Sequence, residues 1–341
     1  MADSTIHARQ QKRLKRLSEE GIQRGTIMVH ERCRPAYDAL RSLFAYQENA
    51  ELLEELAKSA IERVSPVNVS QVRQLSPFRY PGGKTWLVPE VKKWLRTLPY
   101  KPRYFIEPFA GGGITALTVA AEHLADKIIM YELDDDVAAV WETVLNGSDM
   151  DLEWLCSRIV RFDVSHEQVV AVLEKQPDST AEQAFRTILR NRMQRGGILA
   201  AGASLMKEGE NGKGLLSRWY PETLVKRIRL IRLQKGIIEF HRGDGFELIR
   251  EMAGKEHPAW FIDPPYTAGG KKAGKRLYAH SQVNHELLFD LMATANGYFM
   301  MTYDDSAEVR KMAENRDFTV TPVPMKNTHH EIIYELLITR E

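Results

Sequence analysis

The sequence has no apolar run approaching the ~18 residues of a membrane-crossing helix, so no such span is expected. Its first residues are polar and basic and lack the apolar centre of a secretory signal. There are only two cysteines, Cys33 and Cys156, too few for a disulfide framework, and a reducing cytoplasm is the compartment that suits them. No spacing of Cys and His matches a zinc site. His329 and His330 are adjacent, which on a strand turns them to opposite faces, so no metal is expected. Internal repeats and long low-complexity tracts are also missing. The composition, 43% hydrophobic and 27% charged, is that of a globular protein, and 341 residues are enough for two or three units.

Net charge is scarce as well, +1 over the whole chain, which by itself argues against a nucleic-acid partner. The distribution argues the other way. Between Arg186 and Lys235 twelve Lys/Arg face three Glu, a local net of +9, and "RQQKRLKR" (Arg9 to Arg16) holds five more basic residues. Solvated helix faces account for most single charge runs, but a segment this long and this basic points to phosphate contact.

Hydrophobic periodicity divides the chain. Residues 1–72 read as a mainly helical extension, with Leu40, Leu43, Phe44, Leu52, Leu53, Leu56 and Ile61 at three- and four-residue spacing. Ser65 to Pro77 reads as a linker. From Phe78 short strands alternate with helices: "YFIEP", "KIIMYEL", "GIIEFHRGD", "WFIDPPY" and "YFMMTYDDS". "FTVTPVPM" and "HEIIYELLITR" read as a closing antiparallel pair. Such alternation predicts an α/β fold with a mainly parallel sheet. It lapses between Asp149 and Lys235, which predicts a helical domain (150–235) inserted between two parts of the sheet domain (73–149 and 236–341).

Ligands of open parallel sheets sit beyond the carboxyl ends of the strands. The first such end is "FIEPFAGGGITAL", where Glu107 precedes a breaking proline and the turn of Gly111, Gly112 and Gly113. Neither G-x-G-x-x-G nor a P-loop is present, and Glu107 would repel phosphate and favour a cationic ligand. The turn taken alone is equally a tight strand-to-helix connection. The second end carries Glu132 and Asp134, suited to ribose hydroxyls or to capping the next helix. At the third, Asp244 suits an adenine amine or a helix cap. A nucleoside bearing positive charge suggests S-adenosylmethionine, whose sulfonium suits acids and aromatic faces.

The fourth end is Asp263-Pro264-Pro265-Tyr266. Neither proline has an N–H, so the strand ladder stops, and each proline holds the residue before it extended. The Asp263 carboxylate and the Pro264 carbonyl become two rigid acceptors beside an aromatic ring. They suit a planar ring with an exocyclic amine: two acceptors take the two N–H protons and Tyr266 stacks on the ring. That is catalysis by positioning and electrostatics.

On these motifs the chain resembles the Dam-type DNA adenine-N6 methyltransferases that place the target-recognition domain between the cofactor half and the catalytic half. "FRYPGGK" (Phe78 to Lys84) resembles the first cofactor motif, "EPFAGGG" the glycine motif and "DPPY" the catalytic motif, and the resemblance covers about residues 76–341. It implies a Rossmann-like methyltransferase sheet that uses S-adenosylmethionine and acts on double-stranded DNA by base flipping. It places Tyr80, Lys84, Glu107, Phe109, Ala110, Gly111, Gly113, Glu132, Asp134, Asp244 and Asp263 around the cofactor. "MTYDDS" stands where the family has a later segment of the active-site wall. Within the insertion, Arg192, Arg195, Arg218 and Trp219 are the expected DNA contacts, with Arg192 or Arg195 as base reader beside Gly196-Gly197. Lys271, Lys272, Lys275 and Arg276 after the tetrad would follow the backbone.

Other readings stay open. RNA or protein amine methyltransferases more often carry Asn before Pro-Pro-Tyr, and cytosine-N4 enzymes more often Ser. A non-catalytic DNA-binding protein on the same fold would not need an intact Asp263, Tyr266 and Glu107. The first seventy-two residues could add DNA affinity, form a homodimer or dock another protein, and the sequence does not choose. Nor does it give a recognition site or a partner endonuclease.

Overall fold

The computed structural model describes residues 33–41, 44, 49–54, 70–79, 83–197, 199, 204–206, 214–265, 283–326 and 332–340. The chain divides into two compact units, Met1–Ser65 and Pro66–Glu341. In the first, helix α1 (Arg34–Leu40) has proline in its first turn and an Arg34–Asp38 ion pair one turn apart, at 3.0 Å. Residues 50–54 are also helical, and the rest of the expected helical run, 55–69, lies outside the described residues.

The second unit alternates as the sequence predicts. Helix α2 (Val88–Thr97) leads to β1 (Tyr104–Glu107), α3 (Ile114–Ala121), β2 (Lys127–Glu132) and α4 (Asp135–Trp141). Among the described residues four α-helices follow with no strand between them: α5 (Asp149–Arg161), α6 (His166–Glu174), α7 (Thr180–Met193) and α8 (Pro221–Arg232). Then come β3 (Ile238–Arg242), α9 (Gly245–Met252), β4 (Pro258–Ile262), α10 (His285–Thr294), β5 (Tyr298–Asp304), α11 (Ala307–Glu314) and the hairpin β6 (Thr319–Lys326) and β7 (Ile332–Thr339). Side-chain oxygens set most of the helix starts. Ser148 and Asp151 form a capping box on α5, and Ser165, Ser179, Asn284 and Ser306 cap α6, α7, α10 and α11.

The seven strands run in the order β3-β2-β1-β4-β5-β7-β6. The first five are parallel, and β7 enters antiparallel between β5 and β6. This is the α/β, mainly parallel sheet that the alternation predicts, with its closing antiparallel pair. Alternate strand residues divide the core between the two faces. Phe105, Met130, Phe261 and Leu337 join α2 to α5, α7 and α8, whereas Ile106, Trp260, Met301 and Leu336 join α9, α10 and α11. The four helices after α4 therefore share a core with one sheet face. Phe162, Phe185 and Trp219 knot them together edge to face, with centroids 5.3 to 6.4 Å apart.

The expected linker does not run free to Pro77. Ser76, Pro77 and Phe78 are buried, because the Ser76 hydroxyl donates to the Gly112 carbonyl at 2.5 Å and Phe78 lies edge-on to Trp141. Asn191 on α7 grips the same segment, accepting the Arg79 N–H at 2.8 Å and donating to its carbonyl at 3.1 Å. Trp260, fully buried with its indole donating to the Asn296 carbonyl at 2.9 Å, anchors β4. Trp260→Ala is expected to cost about 3–5 kcal/mol in urea unfolding, from the lost side chain and the cavity it leaves.

Candidate active site

The strand order reverses at β1. The chain winds outward from β1 through β2 to β3, then returns to lay β4 on the other side of β1. A crevice opens where the following connections diverge, at the carboxyl ends of β1 and β4. Glu107 ends β1 and Asp263 follows β4, so both acids stand at that switch point. A cavity of about 630 Å³ lies there.

One wall is the glycine turn. Gly113 has φ +61°, and a Cβ there would come within 2.8 Å of the Met130 methyl and 3.0 Å of the Trp141 ring. Trp141 donates its indole N–H to the Gly111 carbonyl at 2.9 Å. Glu132 clasps the turn from β2. One carboxylate oxygen accepts the Gly111 N–H at 2.7 Å and the other the Asp134 N–H at 2.8 Å. Glu107 accepts the Ala116 N–H at 3.0 Å. Burial pushes the Glu132 carboxyl up to about 7, against those hydrogen bonds, and pushes Glu107 well above the usual carboxylate range. Thr115 adds a buried hydroxyl that finds no hydrogen-bond partner among the described residues and belongs to the same wall.

Asp134 and Asp244 do cap helices. Asp134 accepts from the N–H groups of Asp136 and Val137, and Asp244 from Phe246 at 2.9 Å. Both also line the cavity, so the two readings of each residue are compatible. Gly245 lets α9 start against β1, since a Cβ there would lie 2.5 Å from the Pro108 carbonyl.

Asp263 is held from below. Its Oδ1 accepts the Thr302 hydroxyl at 2.7 Å and lies 3.0 Å from Lys84 Nζ, which is 3.6 Å from Glu335 Oε2. Lys84, from a short turn of helix ahead of α2, is only 4% exposed. Tyr303 lies beside Asp263, and burial chiefly, then the Asp263 charge, raises its phenol far above its usual value. Its hydroxyl meets His285 Nδ1 at 3.0 Å.

The cavity brings together Lys84, Glu107, Phe109, Gly111, Gly113, Glu132, Asp134, Asp244, Asp263 and Pro265. Ala110 and Pro264 are buried in the same two connections. Tyr80, Tyr266, Lys271, Lys272, Lys275, Arg276, His329 and His330 lie outside the described residues. No group of acids, His and Cys among the described residues could hold a metal.

Burial bears on two of the expected DNA contacts. Trp219 is 7% exposed in the aromatic knot, so it offers no surface to a duplex. Arg192 is 5% exposed and donates to the Pro77 carbonyl, so it cannot read a base from an exposed loop. In the Gly196-Gly197 turn Gly196 is exposed, while Gly197 is buried and accepts a hydrogen bond from the Asn191 side chain at 2.8 Å. Arg192 instead faces the cavity with Arg79 and Arg227. Its Nε has no hydrogen-bond partner among the described residues, and burial, then Arg227, Arg79 and Arg218, lowers its pKa to about 10. Arg195 is exposed and Arg218 partly so.

Sequence reading passed over Thr115, Arg227, Thr302 and Glu335. The one available signal was Glu335, the only acid within the apolar strand "IIYELLIT".

Residues 80–168 match the family described as D12 class N6 adenine-specific DNA methyltransferase. That match supports methyl transfer as the class of chemistry. No curated protein matches the chain. Among solved structures it is similar to a proposed RNA methyltransferase, PH1948 from Pyrococcus horikoshii, at 12% identity and a TM-score of 0.35, over 84% of this chain and 96% of that one. It is also similar to the rRNA methyltransferase aviRa from Streptomyces viridochromogenes, at 13% identity and a TM-score of 0.33, over 74% and 83%. These two likenesses carry no functional inference.

The raised acids make stability depend on pH. Folded Glu132 and Glu107 hold protons more tightly than the unfolded chain does, so their contribution weakens as pH rises above the ordinary 4.5. Between pH 5 and 8 the Glu132 share of this loss is on the order of 3 kcal/mol. Urea unfolding at both pH values checks it. Glu107→Gln should show a smaller decline than the parent, and an equal decline would mean that folding does not raise the Glu107 carboxyl.

Proposed function

We propose that the protein transfers a methyl group from S-adenosylmethionine to the N6 amine of adenine in duplex DNA, with the target base flipped out of the helix. Asp263 carries this reading: a carboxylate at the sheet's switch point, stiffened by two prolines, with one oxygen gripped by Lys84 and Thr302 at an acid-lined cavity. The match of residues 80–168 to an adenine-specific family supports it.

The residues fit the cofactor. A cavity of about 630 Å³ is within the range of small-molecule sites. The unpartnered Thr115 hydroxyl awaits a polar ligand atom, the glycine turn admits close approach, and the acids suit a sulfonium. Glu107, Glu132, Asp134, Asp244 and the turn from Phe109 to Gly113 would hold it, with Lys84 at the end near Asp263 and Tyr80 assigned there by the resemblance. When bound, S-adenosylmethionine supplies an electrophilic methyl group.

The chain's task is to prepare the amine. An amine on an aromatic ring is a weak nucleophile, because its lone pair is delocalised into the ring. Asp263 and the Pro264 carbonyl accept its two protons, Tyr266 stacks on the ring, and the lone pair turns out of the ring plane. These acceptors also stabilise the positive charge that grows on nitrogen as the new bond forms, and Asp263 receives the proton the product sheds. An adenine stacked within a duplex cannot reach such a site, so the base must leave the stack. The cavity's other wall, Arg79, Arg192 and Arg227, suits backbone phosphates.

The test offers labelled cofactor to duplex DNA, RNA and protein in parallel. Label is expected on adenine N6 of DNA. Asp263→Ala should abolish transfer while calorimetric affinity for S-adenosylmethionine stays within about tenfold, since this carboxylate acts chiefly on the amine. Label confined to RNA or protein, or near-normal turnover in the variant, would overturn the reading.

A further inference from the structure

We infer that Glu335 is a positioning residue for Asp263, acting through Lys84; the inference rests on the methyl-transfer reading above. Glu335 lies on β7, directly opposite Asp304 of β5, and Leu337 two residues on lies opposite Thr302. Residues two apart on a strand share a face, so Glu335 and Thr302 project from the same side of the sheet. That is the side from which Thr302 reaches Asp263 Oδ1.

Glu335 is 7% exposed in a strand whose next three residues are apolar and buried. A carboxylate in such a place is costly unless it meets a cation. It meets Lys84, itself 4% exposed, with Nζ 3.6 Å from Glu335 and 3.0 Å from Asp263 Oδ1. Among the described residues, Glu107 from β1 and Tyr303 from β5 also interact with Asp263.

An ammonium is a compact charge with three donors on a flexible stem. Facing a single carboxylate, it can straddle both oxygens and neutralise the pair. A second carboxylate on its far side draws it back and confines it to one oxygen. Glu335 thus holds Lys84 against Oδ1, the oxygen that Thr302 also binds, and so fixes how the carboxylate meets the substrate amine. Asp263 is thereby oriented, and it retains acceptor strength that a closer ammonium would take away.

Glu335→Gln keeps the shape of the side chain and removes its charge. The expected result is a fall in kcat of between about tenfold and a hundredfold, the scale of a small misplacement in an active site. KM for duplex DNA, calorimetric affinity for S-adenosylmethionine and melting temperature should stay near the parent's values. Glu335→Asp, which keeps the charge, should recover part of kcat. Lys84→Met with Glu335→Gln should be no slower than Lys84→Met alone, because Glu335 acts through the lysine. An unchanged kcat in Glu335→Gln, a loss that tracks melting temperature or KM, or additive losses in the double variant would overturn the inference. An inactive parent enzyme would overturn the methyl-transfer reading and this inference with it; an active parent with an unaffected Glu335→Gln overturns this inference alone.

Discussion

A lysine ammonium 4% exposed costs several kcal/mol unless opposite charge meets it in place. The contact of Lys84 with Asp263 and Glu335 is therefore the condition on which the site depends. It joins three pieces of chain far apart in sequence: the segment ahead of α2, the end of β4 and the last strand. The antiparallel hairpin, which looks like a mere edge closure, brings Glu335 to the centre. Asp263 acquires its fixed orientation only when the whole sheet has formed.

The sheet places this cluster by its winding. Because β1 lies between β2 and β4, their connections diverge and leave a crevice at the sheet's switch point. The glycine turn borders it, and Glu132 and Trp141 hold that turn through backbone groups. Two carboxyls, Glu107 and Glu132, are kept there at an energetic cost that shows in their raised pKa values. Core-filling residues would have been more stable. Acids retained against desolvation, beside a buried threonine hydroxyl with no partner among the described residues, mark this wall as a candidate ligand site.

The basic segment has a more divided role than its charge suggests. Arg190 pairs with Asp136 at 2.5 Å, Arg229 with Glu153 at 2.8 Å and Arg232 with Asp149 at 2.6 Å, while Arg186 binds the Leu173 carbonyl. Much of the positive charge between Arg186 and Lys235 thus ties the inserted helices to each other and to α4. Arg192 and Arg227 differ, since they bind the Pro77 and Ser76 carbonyls and meet no carboxylate among the described residues. A buried guanidinium without a counter-ion, on the wall of a cavity, is the feature in this segment that most clearly calls for an anionic ligand. Asn191, Arg192 and Arg227 also clamp residues 76–79, so the inserted helices and the glycine turn share a support.

Local pattern was enough to read the strands, the helices between them, the interruption between Asp149 and Lys235, and the acids at the strand ends. Each of those signals lives within a dozen residues: alternation, a proline stop, a glycine turn. The burial of Arg192 and Trp219 was not legible, because composition reports how much positive charge a segment holds and not which way it faces. Periodicity left room for Trp219 on either face of its segment, and packing against Phe162 and Phe185 put it inside. Glu335 shows the same limit from the other side. An acid in an apolar strand is visible in the sequence, yet its partner is 251 positions away at Lys84. Only the order of strands in the sheet, with β7 laid beside β5 and Asp263 one strand further in, decided that the two would meet, because pairing across a sheet depends on register and topology that no local window contains.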